Sequence, residues 1–190
     1  MRCVRAIVLC VLLGAMGQAS TAFAQEKGDF GVSMGYPTSV GFIYHVGDRF
    51  AIRPEVTFNV VGSTSETDFS TSEGDTWSLG FGISGNFYVA QWDKLRSYIS
   101  TRYNYSHAET TSTNTLVLPA FNDTESRLTG NAHSFIGMFG AQYSLHEKFS
   151  VFGEVGAGFT HQTTETEPAG GRSNINQFGS RSAVGVIFYF

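Results

Sequence analysis

The stretch Trp77-Ser78-Leu79-Gly80-Phe81-Gly82-Ile83-Ser84-Gly85-Asn86-Phe87-Tyr88-Val89 decides the fold. Its odd positions are large and apolar apart from Gly85, and its even positions are small or polar apart from Tyr88. Successive side chains of a strand point to opposite faces, so a strand built from this stretch has one continuous apolar wall. Helical spacing fits the pattern less well.

The same period recurs on both sides. Ile52 to Val60 sets Ile52, Pro54, Val56, Phe58 and Val60 against Arg53, Glu55, Thr57 and Asn59. Val151 to Phe159 sets Val151, Val155 and Phe159 against Phe152 and Glu154. Five further segments read as strands: Phe30 to Tyr36, Val40 to Val46, Leu95 to His107, His133 to Leu145 and Phe178 to Phe190. The sequence therefore predicts eight strands. Short connections fall at Gly47-Asp48-Arg49, Ala90 to Lys94 and His146-Glu147-Lys148. Long polar ones are expected at 63–75, 110–130 and 163–176, with a tight one at Pro37-Thr38-Ser39. Alternation of short turns and long loops is the habit of bacterial outer-membrane meanders.

A soluble barrel alternates too, so the position of the charges discriminates. Arg53, Glu55, Arg96, Arg102, Glu154 and Arg181 all fall on the small, polar face, and the apolar face carries essentially none. A soluble barrel needs charge on its outer wall, whereas a lipid-facing wall excludes Arg or Lys at roughly 2–4 kcal/mol each near the midplane. The apolar face is thus expected to point outward, and the sheet to close, because no open edge is tolerated in hydrocarbon. Pro54 resists this reading, since it cannot donate to a ladder. A bulge, or a water-satisfied carbonyl, near the periplasmic rim is expected there.

Composition agrees. The 190 residues include 17 Phe, 8 Tyr, 2 Trp and 22 Gly but only 12 basic and 16 acidic side chains. This excludes a charge-rich disordered chain, and outside the first residues no apolar run reaches the ~20 residues of a membrane helix. Residues 1–24 read as a secretory signal peptide, with Arg2 and Arg5 ahead of an apolar stretch and a cleavage motif at Ala22-Phe23-Ala24. Both cysteines, Cys3 and Cys10, lie within it, so no disulfide scaffold is expected. Its removal takes Arg2 and Arg5 and leaves residues 25–190 as one domain with ten basic and 16 acidic residues. An acidic exported chain is not expected to bind nucleic acid.

The C-terminal segment Ala183-Val184-Gly185-Val186-Ile187-Phe188-Tyr189-Phe190 is similar to the terminal insertion signal of outer-membrane barrels. Gly185, Phe188 and Phe190 match that signal, while Ala183 stands where a polar residue is usual. With these features the mature chain resembles the small eight-stranded outer-membrane proteins of the OmpA-like, OmpX-like and Opa-like group, and Gly47 to Glu55 looks typical of their second and third strands. The resemblance implies an all-β, eight-stranded, antiparallel up-and-down transmembrane barrel in the outer membrane of a Gram-negative cell. It also implies contact with membrane lipid and lipopolysaccharide, and handling by the barrel insertion machinery. It fixes no activity.

The candidate site is an interior charge cluster of Arg53, Glu55, Arg102, Glu154 and Arg181. An eight-stranded barrel is only wide enough for side chains to fill it, and unpaired charges there are costly. The cluster is expected to be paired, as a structural plug or as the gate of a porin-like pore. The five histidines, His45, His107, His133, His146 and His161, show no metal-ligand spacing, and no cofactor is expected. Lipid A-modifying barrel enzymes use serine and histidine near the rim. Here His133-Ser134 and Ser106-His107 are adjacent in sequence and must face opposite sides, so no enzyme is expected. The acidic loop residues Glu66, Asp68, Glu73, Asp75, Glu165 and Glu167 suggest a solvated surface, or contact with a partner or with cation-bridged lipopolysaccharide. The overall expectation is a monomeric, non-catalytic barrel serving envelope structure or surface interaction. The rival readings are a small channel and, behind it, a lipid A-modifying enzyme.

Overall fold

Alternating residues of the kind seen at 77–89 are laid out as eight strands in a computed structural model, which describes residues 27–36, 39–67, 70–116, 124–168 and 170–190. The expected leader at 1–24, Pro37-Thr38 of the tight connection and Asp68 lie outside them. The strands are β1 (Phe30–Tyr36), β2 (Ser39–Gly47), β3 (Phe50–Thr67), β4 (Ser70–Trp92), β5 (Leu95–Leu116), β6 (Thr124–His146), β7 (Phe149–Glu167) and β8 (Gly171–Tyr189). Each pairs antiparallel with the next in sequence. β8 returns to β1 from Gly31↔Tyr189 to Tyr36↔Val184, and the barrel closes.

The registers fix the tilt of the strands. Passing from Phe30 through Tyr44, Ile52, Gly85, Thr101, Gly137, Ala157 and Ser180, the β8–β1 register returns ten residues farther along the chain. A ten-residue stagger over eight strands corresponds to a tilt of about 40°. The outward apolar run of β4 from Phe87 to Trp77 then rises about 25 Å along the barrel axis, the height of an apolar membrane band.

The long polar connections expected from sequence are instead mostly strand. β3 and β4 stay paired out to Thr67↔Ser70, β5 and β6 to Asn114↔Thr124, and β7 and β8 to Thr166↔Gly171. These stretches are rich in Thr, Ser and Asn on both faces, so they lack the one-sided apolar pattern that marks a half-buried strand. Their backbone hydrogen bonding continues where apolar burial has stopped. Of the expected loop acids, Glu66, Glu73, Asp75, Glu165 and Glu167 therefore lie on hairpin extensions.

Pro54 lies in unbroken register with Ile83, and no bulge forms there. On its other side the β2–β3 ladder skips from Gly41↔Glu55 to Tyr44↔Ile52 without a register shift, so the missing N–H is accommodated by a local gap in pairing. The register shifts fall elsewhere, between His45 and Gly47, Tyr88 and Ala90, and Ser144 and His146, each beside a short turn. Bulges at these rims strengthen the twist where the chain reverses.

The two walls differ as the charge pattern requires. Outward residues include Phe81 (55% exposed), Phe139 (54%) and Val155 (62%). At the short-turn end Phe30 stacks on Phe42 with ring centres 5.7 Å apart, and Phe149 meets Phe188 at 4.9 Å. Phe190 lies 6.2 Å from Phe30, so the terminal aromatics join an outward aromatic rim. Inside, the same end is closed by a buried floor of Ile43, Ala51, Tyr88, Tyr98, Phe152, Ile187 and Tyr189. Two glycines make room for it. A Cβ on Gly140 would strike the Tyr98 ring, and one on Gly185 would strike Phe152 at 2.6 Å. Gly185 thus has a packing role inside the barrel besides its place in the terminal pattern.

Candidate functional site

Three strands deliver four of the charged residues to one level of the lumen. Arg53 and Glu55 are two residues apart on β3 and so share its inner face, and Arg102 on β5 and Glu154 on β7 reach in from the sides. Arg53 donates through Nη2 to both oxygens of Glu154, at 2.9 and 3.1 Å, and through Nε to Glu55 Oε1 at 3.3 Å. Arg102 mirrors it, with Nη2 2.8 Å from Glu154 Oε2 and Nε 3.1 Å from Glu55 Oε1. The four side chains form a closed ring of alternating sign across the barrel.

This ring is buried and further supported by neutral groups. Arg53 and Glu154 are each 1% exposed and Glu55 is 8% exposed. Tyr98 donates to Glu154 Oε1 at 2.8 Å, Ser84 donates to Glu55 Oε1 at 3.4 Å, and the Arg53 guanidinium lies 4.8 Å from the Phe152 ring centre. Such a cluster is tolerable in a low-dielectric interior only because each charge meets its opposite with directed hydrogen bonds.

Arg181 departs from the expectation of full pairing. It lines the same inner space, but its Nη2 donates to Thr160 Oγ1 at 3.2 Å and its Nη1 to the Ser180 carbonyl at 3.5 Å, and among the described residues it meets no carboxylate. Position on the inward face was readable from sequence, whereas height around a tilted ring was not. Arg96 sits below the ring, nearer the short turns, 3.9 Å over the Tyr88 ring with Nη2 donating to the Asp48 carbonyl.

Beneath the ring lies a polar relay that sequence reasoning missed. Tyr88 donates to Gln142 Oε1 at 3.1 Å, Gln142 Nε2 donates to Tyr189 Oη at 3.1 Å, and His45 Nε2 lies 3.3 Å from that oxygen. Tyr88, Tyr98 and Tyr189 all fall on the inward parity of their strands. That parity is the available signal, and in sequence Tyr88 already stands out as the one large side chain on the small, polar face of 77–89.

The remaining histidines sit differently. His133 faces outward and bonds Tyr103 Oη at 2.8 Å, while Ser134 faces inward against Thr160. His107 Nδ1 contacts Asn131 Oδ1 at 2.9 Å, beside Trp77 at a ring separation of 5.4 Å. Neither adjacent His–Ser pair shares a face. Glu109 pairs with Arg127 at 2.7 Å, and His161 with Asn176 at 2.7 Å. Together with Tyr105, which donates to Asn131, these groups make an outward belt of aromatic bodies with polar tips where the apolar wall ends.

No protein-family profile and no curated protein sequence matches the chain. Solved structures do. A major outer membrane protein from Thermus thermophilus superposes with a TM-score of 0.54 at 11% identity, covering 85% of this chain and 98% of that one. CarO2 of Acinetobacter baumannii gives 0.45 at 11% identity, covering 85% and 97%. Ail, the attachment invasion locus protein of Yersinia pestis, gives 0.42 at 11% identity, covering 85% and 94%. The likeness to the Thermus protein supports the eight-stranded closed barrel as a fold and extends no further.

Proposed function

We propose that the chain is an integral, non-catalytic outer-membrane barrel that serves envelope structure or surface interaction, with an interior charge ring acting as a plug. The observation that carries this reading is the inversion of its walls. Large apolar side chains cover the exterior, while Arg53, Glu55 and Glu154 are buried within and Arg102 is part-buried beside them. Exposed apolar patches on soluble monomers rarely exceed a few hundred Å², and a continuous apolar band around a closed barrel needs lipid to cover it. The short turns then lie in the periplasm, with Phe30, Phe149, Phe188 and Phe190 at the inner interface. The Tyr103–His133 belt lies at the outer one, level with lipopolysaccharide headgroups, and the long hairpins project outside as the surface available to a partner. The terminal aromatics fit recognition by the insertion machinery, and the closed sheet fits a monomer.

The plug reading rests on the buried floor below the ring, which leaves the lumen closed at its periplasmic end. The expected result is recovery of the protein in the outer-membrane fraction, with a gel mobility that changes on boiling and no conductance steps in planar bilayers. Recovery from the soluble periplasm would overturn the membrane reading. Sustained conductance that changes on Arg102→Gln would favour the channel.

A further inference from the structure

Above the charge ring the lumen opens into a chamber of about 230 Å³, lined among others by Arg53, Glu55, Arg102, Asn104, Ser134 and Arg181. We propose that this chamber binds a small oxyanion with the size and chemistry of inorganic phosphate.

Charge is the first argument. Three guanidiniums border the chamber against the two carboxylates of the ring. Both Glu154 oxygens are taken by Arg53 and Arg102, with Tyr98 on one of them, and Glu55 Oε1 is shared by the same two arginines. Arg181 is left with a hydroxyl and a backbone carbonyl. The cluster therefore carries one positive charge in excess, held in a protein-lined space where a counter-charge is worth far more than in water.

Unused donors are the second argument. Arg53 Nη1 is buried and has no hydrogen-bond partner among the described residues, although the Arg53 side chain is only 1% exposed. The Arg53 side chain borders the chamber, so an oxyanion held there adds a counter-charge beside this guanidinium. Asn104 and Ser134 add neutral donors at the same level, and Ser134 already bonds Thr160, the hydroxyl that holds Arg181.

Size and access narrow the occupant. The volume falls below the roughly 300–1,000 Å³ of pockets for larger organic ligands, which favours a compact ion. The floor closes the lumen on one side, and the inward residues above the chamber include Gly80, Ser106 and Ala132, which leave an approach from the long-hairpin end. The site depends on the barrel interior and not on where the barrel resides.

The test titrates the folded protein in detergent with inorganic phosphate, and with chloride at matched ionic strength, while following the unfolding temperature. Phosphate is expected to raise it saturably and chloride not. Arg181→Gln is expected to weaken the apparent affinity at least tenfold, Arg181→Lys to retain part of it, and the exposed Arg172→Gln to leave it unchanged. The boiling-dependent mobility shift verifies that each variant is folded and reports on the membrane-barrel reading separately. Equal effects of phosphate and chloride on the wild-type protein would overturn the proposal whether or not Arg181→Gln folds. So would a folded Arg181→Gln variant that titrates like wild type.

Discussion

Glu154→Ala is expected to destabilise the barrel by about 3–5 kcal/mol, the cost of breaking a buried ion pair by removing one partner. Glu154 accepts from Arg53, Arg102 and Tyr98 at once. Its loss leaves two guanidiniums facing each other in the lumen with only Glu55 between them. Urea unfolding in lipid vesicles, followed by tryptophan emission, measures the loss. Replacing Arg53, Glu55, Arg102 and Glu154 together by apolar residues of similar volume is expected to cost less than Glu154→Ala alone, because no stranded charge remains. A loss below about 1 kcal/mol for Glu154→Ala would mean that the ring is wet and weakly coupled, which contradicts a plug.

The next residue in the chain makes the opposite demand. Val155→Arg is expected to cost about 2–4 kcal/mol in vesicles, since Val155 is 62% exposed on the outer wall within the apolar band. On a soluble protein a substitution at so exposed a site stays within about 0.5 kcal/mol. Asn174→Arg supplies the comparison. It lies on the outward face beyond the belt, where Thr163 Oγ1 donates to Asn174 Oδ1, and there the cost is expected to fall to about 0–1 kcal/mol. Equal costs at the two positions would remove the depth dependence that a bilayer imposes.

Period-two alternation was enough to place the middle of every strand and to put Arg53, Glu55, Arg102 and Glu154 on the inner wall. Strand identity there follows from a local constraint, the need to separate an apolar face from a polar one. The outer halves of β3 to β8 were illegible for the same reason, because Thr64, Thr111 and Thr164 sit in strands that no longer separate two environments. Their pairing comes from the hairpin ladders. The interior geometry was half legible. Parity says that Arg53 and Glu154 face inward, but their meeting across 101 residues depends on the ten-residue stagger, a property of the closed ring as a whole. Arg181 shows the limit, sharing the face and the chamber yet lacking a carboxylate.

The claim on which the rest depends is that the apolar wall meets lipid while the polar wall encloses the lumen. Nitroxide labels placed singly at each position from Leu79 to Ser84 of β4, in protein reconstituted into lipid vesicles, test it most directly. Oxygen, which concentrates in hydrocarbon, is expected to collide freely with labels at Leu79, Phe81 and Ile83 and rarely with those at Gly80, Gly82 and Ser84. Equal accessibility along the stretch, or maxima at the even positions, would contradict a lipid-facing apolar wall.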